Sequence, residues 1–256
     1  MDRTGVNWTF TPDQFALAWA RTDGDRIPYP LAVRRSARDT AEREAQLPEL
    51  NAWCDEVVDA DVEAALRVLA KPTVCVEVFG ERGAESEVRP VRVLGAAAGN
   101  IAVVAAQRPG TEPDRGGEVR LYVGGAKTLP ARVVSTLPEN VPGGTERLTA
   151  PLAKVNEDSR DLVTVPVSGP TVSARIRRLL KQPRDGIGQL VVSVRRDDEL
   201  RPFGVLCWID VAGDGRYAVR TGADVDVTPV GAEAFTAVLR PMVTAAARSV
   251  QYAEQW

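Results

Sequence analysis

The chemistry open to this chain is bounded first by an absence: there is no histidine among its 256 residues. That removes the commonest general base, the usual member of a nucleophilic triad and the imidazole metal ligand. Remaining catalysis would need a Lys, Tyr or Cys base, or a pair of carboxylates. The three cysteines, Cys54, Cys75 and Cys207, are widely separated and form no CxxC pair. Each lies among apolar neighbours and reads as a small buried hydrophobe. Cys54 and Cys75 could pair only if the fold placed them together. Asp55, Glu56, Asp59, Asp61 and Glu63 crowd the stretch where one helix ends and the next begins, and caps and a solvated face account for them. Gly124-Gly125-Ala126-Lys127-Thr128 lacks the G-x-x-x-x-G-K-[ST] spacing of a phosphate loop and reads as a turn. No cofactor or metal site is marked, and the chain is expected not to be an enzyme.

Hydrophobic residues make up 44% and charged residues 26%, ordinary values for a globular protein with a real core. The formal net charge is −3, so no global positive field attracts nucleic acid or an anionic membrane. A local basic cluster (Arg175, Arg177, Arg178, Lys181, Arg184, Arg195, Arg196) lacks an aromatic stacking platform, and no nucleic-acid partner is expected. No signal-peptide core follows Met1-Asp2-Arg3. The most apolar stretch, Leu94 to Ala106, is broken by Gly99 and Asn100 and is too short to span a bilayer. A soluble cytoplasmic protein is the expectation, with no membrane insertion.

The elements that must position any site fall into a repeated order. Thr11 caps a first helix, with Pro12 at its first position, Gln14 completing a capping box, and Phe10 and Phe15 as a hydrophobic staple. Ile27-Pro28-Tyr29-Pro30-Leu31 forms a rigid extended connector. A second helical region covers about Thr40 to Val58, interrupted at Pro48, and a third runs from an Asp61 cap to Ala70, ended by Lys71-Pro72. Four strands follow: Thr73 to Gly80, Val88 to Ala98, Ile101 to Gln107 and Glu118 to Val123, with Arg108 to Gly117 as a long mobile loop. A short helix, Leu129 to Leu137, closes the set.

After the Pro/Gly-rich passage Pro138 to Gly144 and a strand-like piece at Arg147 to Leu152, the pattern restarts. A helix from Pro170 to Lys181 precedes four strands, Ile187 to Arg196, Pro202 to Val211, Arg216 to Arg220 and Val225 to Val230. A final amphipathic helix starts near Gly231 and should kink or restart at Pro241. The two sets lie about one small domain apart in sequence. They imply a duplicated, pseudo-two-fold α/β (α+β) architecture within a single unit, 1–256, whose halves cover about 1–140 and 145–256. Whether they share one continuous sheet is open at this level.

Strand alternation separates two faces. Val74, Val76 and Val78 share one face, as do Leu190, Val192 and Val194. The opposite faces carry Thr73, Cys75, Glu77 and Phe79, and Gln189, Val191, Ser193 and Arg195. The first kind suits helices packed above it; the mixed kind suits solvent or a non-obligate protein interface.

In order and spacing the chain resembles the EspG-type chaperones of actinobacterial type VII (ESX) secretion. The resemblance runs from Phe10 to Phe15 and Pro28-Tyr29-Pro30-Leu31 through the helix ending at Lys71-Pro72. It is best in Pro183, Gly186-Ile187-Gly188-Gln189-Leu190, Trp208-Ile209-Asp210, Gly215-Arg216-Tyr217 and the final helix. It implies antiparallel sheets flanked by helical bundles. It also implies a secreted helical-hairpin client, of the PE–PPE or Trp-X-Gly type, whose hydrophobic tip is shielded before export. The family's partner surface involves the exposed sheet, the C-terminal helical region and a loop after the first strand, here Gly80 to Glu87. The expected partner-binding residues are therefore Phe79, Gln189, Val191, Ser193 and Arg195 by strand parity, and Gly80, Glu81, Arg82, Gly83 and Glu85 by the loop. Release without an ATP site implies competition by another component. Two other readings stay open: an enzyme using carboxylate, Tyr or Lys groups, and a homo-oligomer, or a homodimer when client-free, packed through the mixed face.

Overall fold

The computed structural model describes residues 7–22, 24, 26–83, 87–112, 114–157 and 169–253, with side chains as far as Val250. Among them the N-terminal half contributes β1 (Asn7–Phe10), α1 (Pro12–Trp19), α2 (Thr40–Val57), α3 (Ala60–Ala70), β2 (Val74–Arg82), β3 (Arg89–Ala98), β4 (Ile101–Glu112), β5 (Arg115–Gly125) and α4 (Leu129–Ser135). The C-terminal half contributes β6 (Leu148–Pro151), α5 (Leu152–Asn156), α6 (Val172–Leu180), β7 (Arg184–Arg196), β8 (Glu199–Val211), β9 (Gly215–Thr221), β10 (Asp224–Pro229) and α7 (Ala232–Ala253).

Ten described strands form one sheet in the order β1-β5-β4-β3-β2-β7-β8-β9-β10-β6. Two antiparallel meanders, β2 to β5 and β7 to β10, meet along the antiparallel β2–β7 pair, where Val76 faces Val192 and Val78 faces Leu190. Outward from that seam the order is the same on both sides, each meander preceded by a helix (α3, α6) and followed by one (α4, α7). The open question of one sheet or two is thereby answered: the sheet is continuous.

Val74, Val76, Val78, Leu190, Val192 and Val194 are all buried, in one cluster with Leu129 and Val133 of α4 and Phe235, Leu239 and Val243 of α7. The seam between the halves is thus sealed on this side by two helices. On the other side the helices stand apart. Residues of α1 and α3 (Phe15, Trp19, Leu66, Leu69) pack with Leu94, Val103 and Leu121 of β3, β4 and β5. Residues of α5 and α6 (Val155, Ile176, Leu179) pack with Ile209, Tyr217, Val219 and Val225 of β8, β9 and β10.

Local chemistry explains the elements and four departures from expectation. The capping box at α1 forms as the sequence implies, Thr11 N donating to Gln14 Oε1 at 2.9 Å and Gln14 N to Thr11 Oγ1 at 3.3 Å. Pro48 does not interrupt α2: Glu44 and Pro48 are both exposed, so the carbonyl deprived of its donor is left to water. The cap of α3 is Asp59 rather than Asp61, its Oδ1 accepting from Asp61 N at 3.0 Å and Val62 N at 2.9 Å. Within the expected loop, residues 108–112 and 115–117 are instead paired strand of β4 and β5, the register shifting at Pro109. Bulges accommodate a proline that regular pairing would exclude. Gln107 fixes this arm by accepting from Ala32 N at 2.8 Å and donating to Ala32 O at 3.2 Å. Gly116 is required there, since a Cβ would sit 2.1 Å from Gln107 Cδ. Finally, α7 does not restart at Pro241, which is exposed as is Ala237 one turn earlier. The Gly124 to Thr128 turn is a single 3-10 turn, Ala126–Thr128, leading into α4.

Candidate partner-docking face

The strand register sorts the mixed face into rows running across the seam. Leu94, Glu77, Val191 and Val205 form one row over β3, β2, β7 and β8. Arg92, Phe79, Gln189, Cys207 and Val219 form the next, and Glu81, Ile187 and Ile209 the one after it. Within these rows Leu94, Arg92, Val219 and Ile209 are covered, while the middle stays open. Val205 is 43% exposed, Ile187 41%, Gln189 is exposed, and Glu77, Phe79, Val191 and Cys207 are half-buried. A groove of about 470 Å³ runs along this strip, lined by Phe79, Ile187, Gln189 and Cys207 with Leu180 and Arg184 on its α6 side.

On the other flank stands the connector before α2. Tyr29 is 54% exposed, with its ring 5.9 Å from that of Phe79, and the Arg92 guanidinium lies 5.9 Å from the same ring. Burial lowers the Arg92 pKa, partly offset by Tyr29 and Asp114. Burial raises Tyr29, with Glu77 adding to the rise and Arg92 opposing it. Burial alone raises Glu77. The face is thus an apolar strip with one carboxylate near its centre and an aromatic pair at its edge.

Of the expected partner-binding residues, Phe79, Gln189 and Val191 stand together on this strip, with Glu81 at its end. Ser193 does not: it is 3% exposed, paired across the seam with Cys75, which is 2% exposed and belongs to the core beneath α3. The alternation that placed Ser193 on the mixed face holds, but α3 closes that row. Arg195 is engaged internally, its Nε donating to Pro72 O at 3.0 Å and its Nη1 to Asp198 O at 2.8 Å. Gly80 is a β2 residue, not a loop residue, and lies on the opposite face, where a Cβ would come 2.6 Å from the Trp208 ring. Arg82 ends β2, so it too is a strand residue, and Gly83 follows it at φ +118°. Glu85 lies outside the described residues. Val205 and Tyr29 were not among the expected residues; strand parity applied to β8 would have found Val205.

The sequence motifs that looked family-like are structural. Trp208 fills the space over Gly80 and Gly188, Asp210 and Arg216 form a buried bidentate pair at 2.7 and 2.8 Å, and Tyr217 donates to Asp214. The basic cluster is largely committed: Arg175 pairs with Glu146, Arg177 donates to Lys154 O, and Arg184 to Leu180 O. All three cysteines are free thiols, each raised by burial. Among the described residues no group of three or more acidic or cysteine side chains could hold a metal, and no helix is long and apolar enough to cross a membrane.

Comparison with curated protein sequences gives no match. Among solved structures, the Mycobacterium tuberculosis type VII secretion system chaperone EspG5, in complex with the PE25–PPE41 dimer, is similar in fold. The TM-score is 0.61 at 18% identity, over 93% of this chain and 96% of that chain. The EspG family model matches residues 11–250, every described element except β1 and the last turn of α7, and the chain belongs to the EspG family.

Proposed function

We propose that this protein is a non-catalytic chaperone of type VII secretion that works in the cytoplasm, binding a helical-hairpin client of the PE–PPE kind on the open strip of its sheet. One observation carries the reading: on the face opposite α4 and α7, helices cover the sheet toward its two ends and leave the strip at the β2–β7 seam open, with Phe79, Ile187, Val191 and Val205 among its open residues. Family membership and the fold shared with EspG5, itself solved with a PE25–PPE41 dimer, support it. An exposed apolar tip on a client would associate with its own copies unless covered. A strip flanked by α6 on one side and the connector before α2 on the other offers cover without enclosing the client, so a competing component can release it. The docking residues are Phe79, Gln189, Val191 and Val205, with Tyr29 at the rim and the residues that follow β2 as further contacts.

The test is co-expression with each helical-hairpin protein of the source genome, singly and in pairs, followed by affinity capture. Val205→Asp should abolish capture and leave the melting temperature within about 2 °C, because an exposed strand residue contributes little to stability. Undiminished capture by this variant would sink the assignment of the face.

A further inference from the structure

Glu77 is the exception within the docking strip. Its row neighbours are Leu94 and Val191, and its neighbours along β2 on the same face are Cys75 and Phe79. It forms no hydrogen bond or ion pair with any described residue, and it is already half-buried in the free chain. Arg92, one row away on β3, has its guanidinium over the Phe79 ring. Gln189 is diagonal to Glu77, and no hydrogen bond joins them. Across the same row Val191 and Val205 show what the position could have held at no electrostatic cost.

An apolar client surface laid over this row would remove the water that now solvates the carboxylate. A buried ion without a partner is strongly unfavourable, whereas the same ion meeting a cation becomes a determinant of which surface can dock. Building on the docking reading above, we infer that the client's hydrophobic tip carries one lysine or arginine that pairs with Glu77 at the centre of the interface. The strip then selects clients by two features together: apolar area over Val191, Val205 and Phe79, and a single positive charge in register with β2. A wholly apolar hairpin tip is rejected because it would strand the carboxylate.

The probe is the helical-hairpin protein or pair captured in the co-expression experiment, and the variants are Glu77→Leu, Glu77→Lys and Val205→Asp. Glu77→Leu should melt at the same temperature as the parent or higher, because a half-buried charge is replaced by an aliphatic chain, yet bind at least about tenfold more weakly. Glu77→Lys should lose binding and regain it with a client whose tip Lys or Arg is replaced by Glu. If Glu77→Leu binds as tightly as the parent while Val205→Asp does not bind, the carboxylate stays solvated in the complex: the inference falls and the docking face stands. If Val205→Asp also binds, the face itself is wrong and both fall. A captured client with no Lys or Arg in its tip, still bound less tightly by Glu77→Leu, likewise overturns the cationic pairing.

Discussion

Arg195 and Pro72 are joined across the seam of the sheet, the guanidinium Nε donating to the proline carbonyl at 3.0 Å, with Ala70 O at 3.5 Å from the same group. The contact ties the last strand residues of β7 to the end of α3, the helix that precedes the other meander. A charged donor here meets the Ala70 carbonyl, which the helix end leaves without an intrahelical partner, and the Pro72 carbonyl just beyond the cap.

Arg195→Glu is therefore expected to destabilise the fold. It removes charge-assisted hydrogen bonds, each worth about 1.5–3 kcal/mol, and sets a carboxylate against carbonyl oxygens. For a chain of this size, about 2–4 °C of melting temperature is lost per kcal/mol. A fall of several degrees by thermal denaturation is the expected result; an unchanged melting curve would show the guanidinium to be expendable. Arg195→Lys keeps the charge but not the planar fork, and should recover only part of the loss.

Ser193 should behave as a core position. It sits opposite Cys75 in a sealed row, so Ser193→Tyr would overpack the space under α3 and cost about 1–3 kcal/mol. Native-state hydrogen exchange should then show faster opening of the α3 amides, with α7 little affected. Equal protection of both helices with no loss of stability would contradict this placement.

Most of the sheet was legible in the sequence because alternation is a local property. Val74 to Val78 and Leu190 to Val194 assign their own faces whatever lies elsewhere. The limit was reached at Ser193 and Arg195, which share parity with Gln189 and Val191 but differ in what another element places above them. Which rows of a face stay open depends on where α3 ends, and no pattern within β7 records that. The β4–β5 arm was hidden for another reason. Pro109, Gly110, Gly116 and Gly117 are turn residues by composition, and only the partner strand and the Gln107 contact with Ala32 turn them into bulged pairing. The open strip was half readable: that Phe79, Gln189 and Val191 share a face followed from parity, while the place of Tyr29 beside Phe79 needed the connector's path.

Gly188 tests the packing that holds the two meanders at their observed register. A Cβ at this position would lie 2.0 Å from the Trp208 ring, and Trp208 is 1% exposed in the cluster that includes Phe235 and Leu239. Gly188→Ala has no room to relax, since Gly80 on the adjacent strand meets the same ring at 2.6 Å. A loss of about 1–3 kcal/mol is expected, read as a lower denaturation midpoint in urea. A double variant with Trp208→Phe should recover part of it, because the smaller ring vacates the space; failure of that rescue would mean that the indole is not what excludes the methyl.

The last prediction concerns the dependence of binding on pH. In the free chain burial raises Glu77 above the usual glutamate range. Facing it are Tyr29 from the connector and Cys75 on its own strand, both also raised, while β7 offers the neutral Val191 and Gln189, β3 the apolar Leu94, and Arg92 one row away. None of these except Glu77 titrates in the mildly acidic range. A carboxylic acid with a raised folded-state pKa weakens the free fold when ionised, and this cost is relieved as pH falls through that pKa toward its unfolded value. In a complex with a cation the sign reverses: the ion pair lowers the Glu77 pKa, so binding releases a proton wherever the free group is still protonated. Affinity should then be full at neutral pH and weaken as pH falls through the free chain's Glu77 pKa. The contribution of Glu77 is the difference between the parent and Glu77→Gln measured by calorimetry over about pH 7 to 4.5. If the parent instead binds more tightly on acidification while Glu77→Gln shows no such gain, Glu77 enters the interface as a neutral acid, and the client brings no cation to meet it.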